Sequence, residues 1–139
     1  MATRDIRVHI RTDADLLSAR QLARDIASSL GFSTTEVTEI VTAVSELSRN
    51  ILMYAGQGEV SLSTVDGEGR RGIAVTARDD GPGIPDLKKA MLDGYSTSGS
   101  LGLGLPGARR LMDEFAIESE TAHGTTVSAK RWVPQGRAR

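Results

Sequence analysis

STTEVTEIVTAVSELSRNILMY, residues 33–54, organises the chain. Val37, Ile40, Val41, Val44, Leu47 and Ile51 recur at three- and four-residue intervals, the spacing of one helix face. Ser33 followed three residues later by Glu36 is a capping box, in which each side chain satisfies the other residue's backbone N–H. The stretch predicts a long helix over about 34–54. At roughly 100° per residue, Val37, Ile40, Val41, Val44 and Ile51 crowd one side, and Glu46 and Asn50 fall one turn apart on a nearly opposite side. A carboxylate can take a proton from a hydroxyl, and an amide oxygen is a hard ligand suited to Mg²⁺. The plain alternative for the pair is a solvated helix face.

Upstream, Ile6, Val8 and Ile10 alternate with Arg7 and His9, a half-buried strand over 5–11. Leu16, Leu17, Ala19, Leu22, Ala23, Ile26 and Leu30 then repeat at helical spacing, and Gly31 supplies a stop. Downstream, Val60 and Leu62 alternate with serines, VDGEGRRG (65–72) breaks the pattern, and Ile73, Val75 and Ala77 resume it. That is an antiparallel pair with a glycine-bearing turn. Residues 81–104 are interrupted by glycines, with a short helical candidate at about 86–92. Leu105, Ala108, Leu111, Met112 and Phe115 resume a helical face. The apolar pair in FAIES, the turn TAHG and a last strand over Thr125–Val133 follow, then the polar tail PQGRAR. The reading is α+β: a mostly antiparallel sheet with helices on one face, one domain over 1–133 and a tail over 134–139.

The 139 residues suffice for one domain, and 39% apolar with 25% charged residues suits a folded core. Seventeen basic against 18 acidic residues, net charge −1, leave no basic footprint for nucleic acid. With no cysteine, and only His9 and His123, thiolate chemistry and histidine metal clusters have no material. The N-terminal MATRDIRVHI lacks an apolar run of signal-peptide length and no later stretch approaches a membrane span, so a cytoplasmic protein without a membrane partner is expected. Of the 15 glycines, 12 lie between Gly56 and Gly107, which marks a loop system rather than a low-complexity chain.

Two glycine segments carry chemistry. In ARDDGPGIPD (77–86), Asp79 stands at a strand end, able to accept a hydrogen bond from an exocyclic amine, and Gly81 and Gly83 permit approaches that a β-carbon forbids. The alternative is a plain turn. In GYSTSGSLGLGLPGARRLMDEF (94–115), Gly99, Gly102, Gly104 and Gly107 precede a helix, where converging N–H groups suit a phosphate. Residues 102–107 also read GxGxxG, with Glu118 and Glu120 at the distance of a ribose-binding acid. No strand precedes them, so the dinucleotide reading ranks below a different phosphate site. A Walker loop and the protein-kinase VAIK, HRD and DFG set are missing.

Taken in order, Glu46-x-x-x-Asn50, Asp79-x-Gly81-x-Gly83, Gly102-x-Gly104 and Gly124-Thr125 resemble the N, G1, G2 and G3 boxes of the GHKL ATPase/kinase superfamily, over about residues 34–133. SELSRNILMYAGQGEV, DDGPGIPD and YSTSGSLGLGLPGARRLMDEF are similar to RsbT-type serine-protein kinases of bacterial partner-switching (stressosome) modules. The resemblance implies a Bergerat-type two-layer α/β sandwich with a mostly antiparallel mixed sheet. It implies ATP and Mg²⁺, with Asp79 on the adenine amine, Thr125 in support, Asn50 on Mg²⁺, Gly99, Gly102, Leu103 and Gly104 around the phosphates, and Glu46 on the attacking serine hydroxyl. Lys88, Lys89 and Arg49 are candidate phosphate contacts. The implied partners are STAS-domain proteins as substrates and a PP2C-type phosphatase activated by binding. The alternative is an anti-sigma factor kinase of the RsbW/SpoIIAB type, which sequesters a sigma subunit.

Overall fold

The computed structural model describes residues 5–83, 104–120 and 122–135. Along the chain run β1 (Asp5–Ile10), α1 (Asp13–Leu30), α2 (Thr34–Tyr54), β2 (Gly58–Gly67), β3 (Arg70–Asp79), α3 (Gly104–Leu111), β4 (Glu114–Glu120) and β5 (Gly124–Trp132). The predicted order of elements is the observed one, and α2 occupies the predicted residues. Its start is the predicted capping box: Ser33 Oγ accepts from Glu36 N at 3.1 Å, and Glu36 Oε1 accepts from Ser33 N at 2.7 Å. A second box opens α1, where Thr12 Oγ1 accepts from Asp15 N and the Asp15 carboxylate accepts from Thr12 N. Gly31 ends α1 in the left-handed region, at φ +95°.

The sheet order is β1-β2-β3-β5-β4. All four pairings among the described residues are antiparallel, a sharper form of the mostly antiparallel sheet expected. The β2–β3 hairpin closes through Glu68 and Gly69, at φ +53° and +76°, the backbone of a primed turn matched to strand twist. Ile10, Val60, Leu62, Ile73, Val75, Ala77, Val127 and Ala129 form the buried face of the sheet. Against them pack Ala19, Ala23 and Ile26 of α1 and Ile40, Val44 and Leu47 of α2. Each fully buried isoleucine or leucine contributes roughly 1.5–3 kcal/mol of transfer free energy. The opposite face carries Arg7, His9, Ser61, Thr76, Arg78 and Ser128, so the described helices lie on one side.

The plain alternative for Glu46 falls, and one expectation needs correction. Glu46 does not sit on a solvated face: α2 is buried without interruption from Ala43 to Ser48. It packs against both α1 and α3, so its flank toward α3 is covered as well as the one toward the sheet. The hydroxyls caught in this stretch bond back into the helix, Ser45 Oγ to Val41 O at 2.9 Å and Ser48 Oγ to Val44 O at 2.8 Å. Phe115, read onto the third helix, belongs to β4. The helix stops at Leu111 because Asp113 N donates to Lys130 O at 2.9 Å, while the Asp113 carboxylate accepts from Trp132 N at 2.8 Å. Both bonds fasten the chain to β5. The helical candidate at 86–92 lies outside the described residues.

Candidate functional site

The site forms where the C-terminal half of α2 crosses the ends of β3 and β5. Asp79, the last residue of β3, is 7% exposed, and Thr125, the second residue of β5, is 8% exposed. The sheet register sets them directly opposite each other. Thr125 Oγ1 shares a hydrogen bond of 2.8 Å with Ser119 Oγ of β4, which fixes its hydroxyl. Asp79 Oδ1 accepts from Gly81 N at 3.0 Å. That bond orients the carboxylate and leaves Oδ2 as its open acceptor.

The DDGPG turn is wedged between two other segments. A β-carbon on Gly81 would stand 2.5 Å from Ala55 Cβ at the end of α2. One on Gly83, at φ +83°, would strike the Glu120 carbonyl. Pro82 O accepts from Ala122 N at 2.9 Å, which ties the turn to the β4–β5 connection. Gly124, at φ +93°, lies so close to the Asp79 carbonyl that no side chain fits between them. The glycines therefore let three segments converge on one buried carboxylate. Gly58 belongs with them: a β-carbon there would fall 2.7 Å from Ile51 Cγ2 and 3.1 Å from Asp79 Cβ. By sequence Gly58 reads as hairpin punctuation, because nothing local distinguishes it from Gly67 or Gly69.

Asp79 and Thr125 share a small cavity with Asn50, walled by Leu47, Ile51, Leu105 and Val127. Two polar groups that can pair with a base edge, and aliphatic walls that suit its faces, give the chemistry of a heteroaromatic site. The cavity among the described residues has room for about one water, so a ring enters only as the walls part. The aliphatic walls are legible in the sequence only as core periodicity. Asn50 Nδ2 donates to Glu46 O at 2.9 Å, so its carbonyl oxygen is the group left for a cation. Glu46, 5% exposed, is held by Arg49: Nη1 donates to Oε1 at 2.9 Å. Among the described residues no group of three or more acidic, histidine or cysteine side chains converges as a metal site. A cation here would take Asn50 and complete its shell from phosphate and water, the habit of Mg²⁺. Gly104 opens α3. Gly99, Gly102, Leu103, Lys88 and Lys89 lie outside the described residues. His9 stands on the outer sheet face and His123 in the β4–β5 connection, both away from the cavity.

Comparison with known proteins identifies the family. Residues 11–131 match the histidine kinase-like ATPase domain. The chain is 50% identical to the serine/threonine-protein kinase RsbT of Bacillus subtilis, covering 91% of this chain and 95% of that one. It is 33% identical to the anti-sigma F factor of Geobacillus kaustophilus, covering 86% of each. A solved structure of RsbU and RsbW domains from Mycobacterium tuberculosis superposes with a TM-score of 0.61 at 19% identity, over 96% of this chain and 34% of that longer one. No described helix is long and apolar enough to cross a membrane.

Proposed function

The chain belongs to the histidine kinase-like ATPase family, and from that premise we propose an ATP- and Mg²⁺-dependent serine/threonine-protein kinase that works as a partner switch. The observation that carries the reading is the buried Asp79 carboxylate, paired across the sheet with Thr125 and sharing a cavity with Asn50.

In this reading Asp79 Oδ2 accepts the exocyclic amine of adenine, and Thr125 supports the ring edge through its hydroxyl. Leu47, Ile51, Leu105 and Val127 exclude water from the faces of the base. The Asn50 carbonyl oxygen holds Mg²⁺, which when bound neutralises phosphate charge. Gly104, with Gly99, Gly102 and Leu103 of the preceding segment, gives its backbone to the phosphates, and Lys89 is a further phosphate contact. Glu46, one turn before Asn50, orients the attacking hydroxyl of a protein substrate and accepts its proton. Phosphoryl transfer depends chiefly on positioning and charge neutralisation, so this small set is chemically sufficient. The substrates are STAS-domain proteins, and the released kinase binds and activates a PP2C-type phosphatase in the cytoplasm. The 50% identity to RsbT supports this reading over sigma-factor sequestration, which the weaker likeness to anti-sigma F factors favours.

Incubation with Mg²⁺, γ-labelled ATP and STAS-domain proteins should place label on a serine or threonine. Asp79→Asn should weaken ATP binding roughly 10- to 100-fold, the loss expected for a charged hydrogen bond at a buried site. Tight ATP binding with no labelled protein would refute transfer. Unchanged binding by Asp79→Asn would refute the adenine assignment, and recovery of a sigma subunit in place of a phosphatase would establish the anti-sigma role.

A further inference from the structure

The Glu46 carboxylate is already engaged. Its Oε1 accepts from Arg49 Nη1 at 2.9 Å, and the two residues are three apart on the same side of α2. The pair is unequal. The Glu46 side chain is 7% exposed and fixed in the stretch covered by α1 and α3, whereas that of Arg49 is 46% exposed. The acid cannot leave the pair without disturbing the core, but the guanidinium can swing into solvent. Oε1, the oxygen turned toward the guanidinium, is not presented to an incoming hydroxyl while the pair holds. Asn50, the next residue, lines the cavity and is bonded to the Glu46 carbonyl, so the exposed Arg49 side chain springs from the same turn of α2 as the cavity-lining amide. A guanidinium is a planar fork of donors matched to phosphate as well as to carboxylate.

Resting on the kinase reading above, we infer that Arg49 is a positioning residue with two alternative partners. It pairs with Glu46 in the free protein and with the terminal phosphate of a bound triphosphate, so that the base is released when ATP arrives. The carboxylate and the phosphate then compete for one cation, and competition leaves a thermodynamic signature independent of catalysis.

The test is a double-mutant cycle in binding, by calorimetry with Mg²⁺ and either ADP or a non-hydrolysable ATP analogue. Glu46→Gln frees Arg49 and should tighten the triphosphate analogue roughly tenfold, the scale of one charge-assisted hydrogen bond, while leaving ADP within about twofold. The gain should vanish in the Glu46→Gln/Arg49→Ala double variant. Arg49→Ala alone should lower the preference for triphosphate over diphosphate, and Arg49→Lys should restore part of it, since charge is kept but the fork is not. If the Glu46→Gln gain persists in the Arg49→Ala background, simple relief of repulsion explains it and the inference is overturned. An unchanged triphosphate preference in Arg49→Ala overturns it as well. If the native protein binds neither nucleotide, the kinase reading fails and takes the inference with it. If it binds both and labels a substrate while the cycle shows no coupling, only the role of Arg49 fails.

Discussion

At residue scale, the site depends on glycines that serve different purposes despite similar backbone angles. Gly69 and Gly124 both have positive φ, but a side chain on Gly69 meets nothing within 4 Å, whereas one on Gly124 meets the Asp79 carbonyl. Gly69→Ala therefore incurs only the left-handed penalty, roughly 1 kcal/mol. Gly124→Ala adds a backbone collision and should lower stability by about 1–3 kcal/mol or more, the range for enforced strain at such positions. Urea midpoints should separate the two variants, and Gly124→Ala should also weaken nucleotide binding because the collision displaces Asp79. Equal midpoints would mean that β5 yields freely and that the close approach is incidental. The acidic, amide and glycine positions are readable as types at spacings. Which glycine touches Asp79 is not readable, since it depends on the β3–β5 pairing between segments distant in the chain. Likewise Glu46 is buried in a helix packed against both α1 and α3, which no periodicity within α2 reveals.

At element scale, caps and periodicity make most of the fold legible. The helix at 34–54 is bounded by Ser33 and Glu36, residues whose chemistry acts within four positions. Its observed limits coincide with that reading. The end of α3 escapes the sequence because Leu105, Ala108, Leu111, Met112 and Phe115 keep helical spacing by coincidence, and the true stop is tertiary, through Asp113 on β5. The start of α1 carries a pH-dependent device that apolar periodicity alone does not reveal. The Asp15 carboxyl is held below the usual aspartate range, first by the hydrogen bond from the Arg11 backbone N–H and then by Thr12. Because the folded value is the lower one, this stabilisation is complete above the ordinary aspartate pKa, near 4, and fades as pH falls through the folded value. Asp15→Asn should be less stable than the native protein at pH 7, and the gap should narrow at about pH 3. A gap of constant size across that range would assign the effect to shape rather than charge. Ser33→Ala, which removes the α2 cap, should lose about 1 kcal/mol with little dependence on pH.

For the whole molecule, the sheet separates the Asp79 cavity from an anchor at its far end. Trp132, the single tryptophan, closes β5. Its Nε1 donates to Glu114 Oε2 at 2.6 Å, and the Arg70 guanidinium lies 4.4 Å from its ring centre. Arg131, beside it, donates to Leu111 O at 2.6 Å and to Glu39 Oε1 at 3.1 Å, joining β5 to the end of α3 and to α2. Thr125, near the start of the same strand, lies seven residues earlier, roughly 23 Å away at the rise of an extended chain. Trp132 is thus attached to the global fold while lying far from the Asp79 cavity. Its emission should change little when nucleotide binds at 25 °C, yet report unfolding of the whole domain. Ligand that binds only the folded state adds RT ln(1 + [L]/Kd), about 2.7 kcal/mol at a hundredfold excess over Kd. A urea transition followed through Trp132 should therefore move to higher denaturant with ATP and Mg²⁺, by the same amount as one followed by far-ultraviolet circular dichroism. In Asp79→Asn the stabilisation should fall to about 0.4–1.4 kcal/mol, what a 10- to 100-fold loss of affinity leaves at the same ligand concentration. Divergence of the two probes would show that the cavity end and the Trp132 end unfold separately, and that binding energy at Asp79 does not stabilise the sheet as a unit.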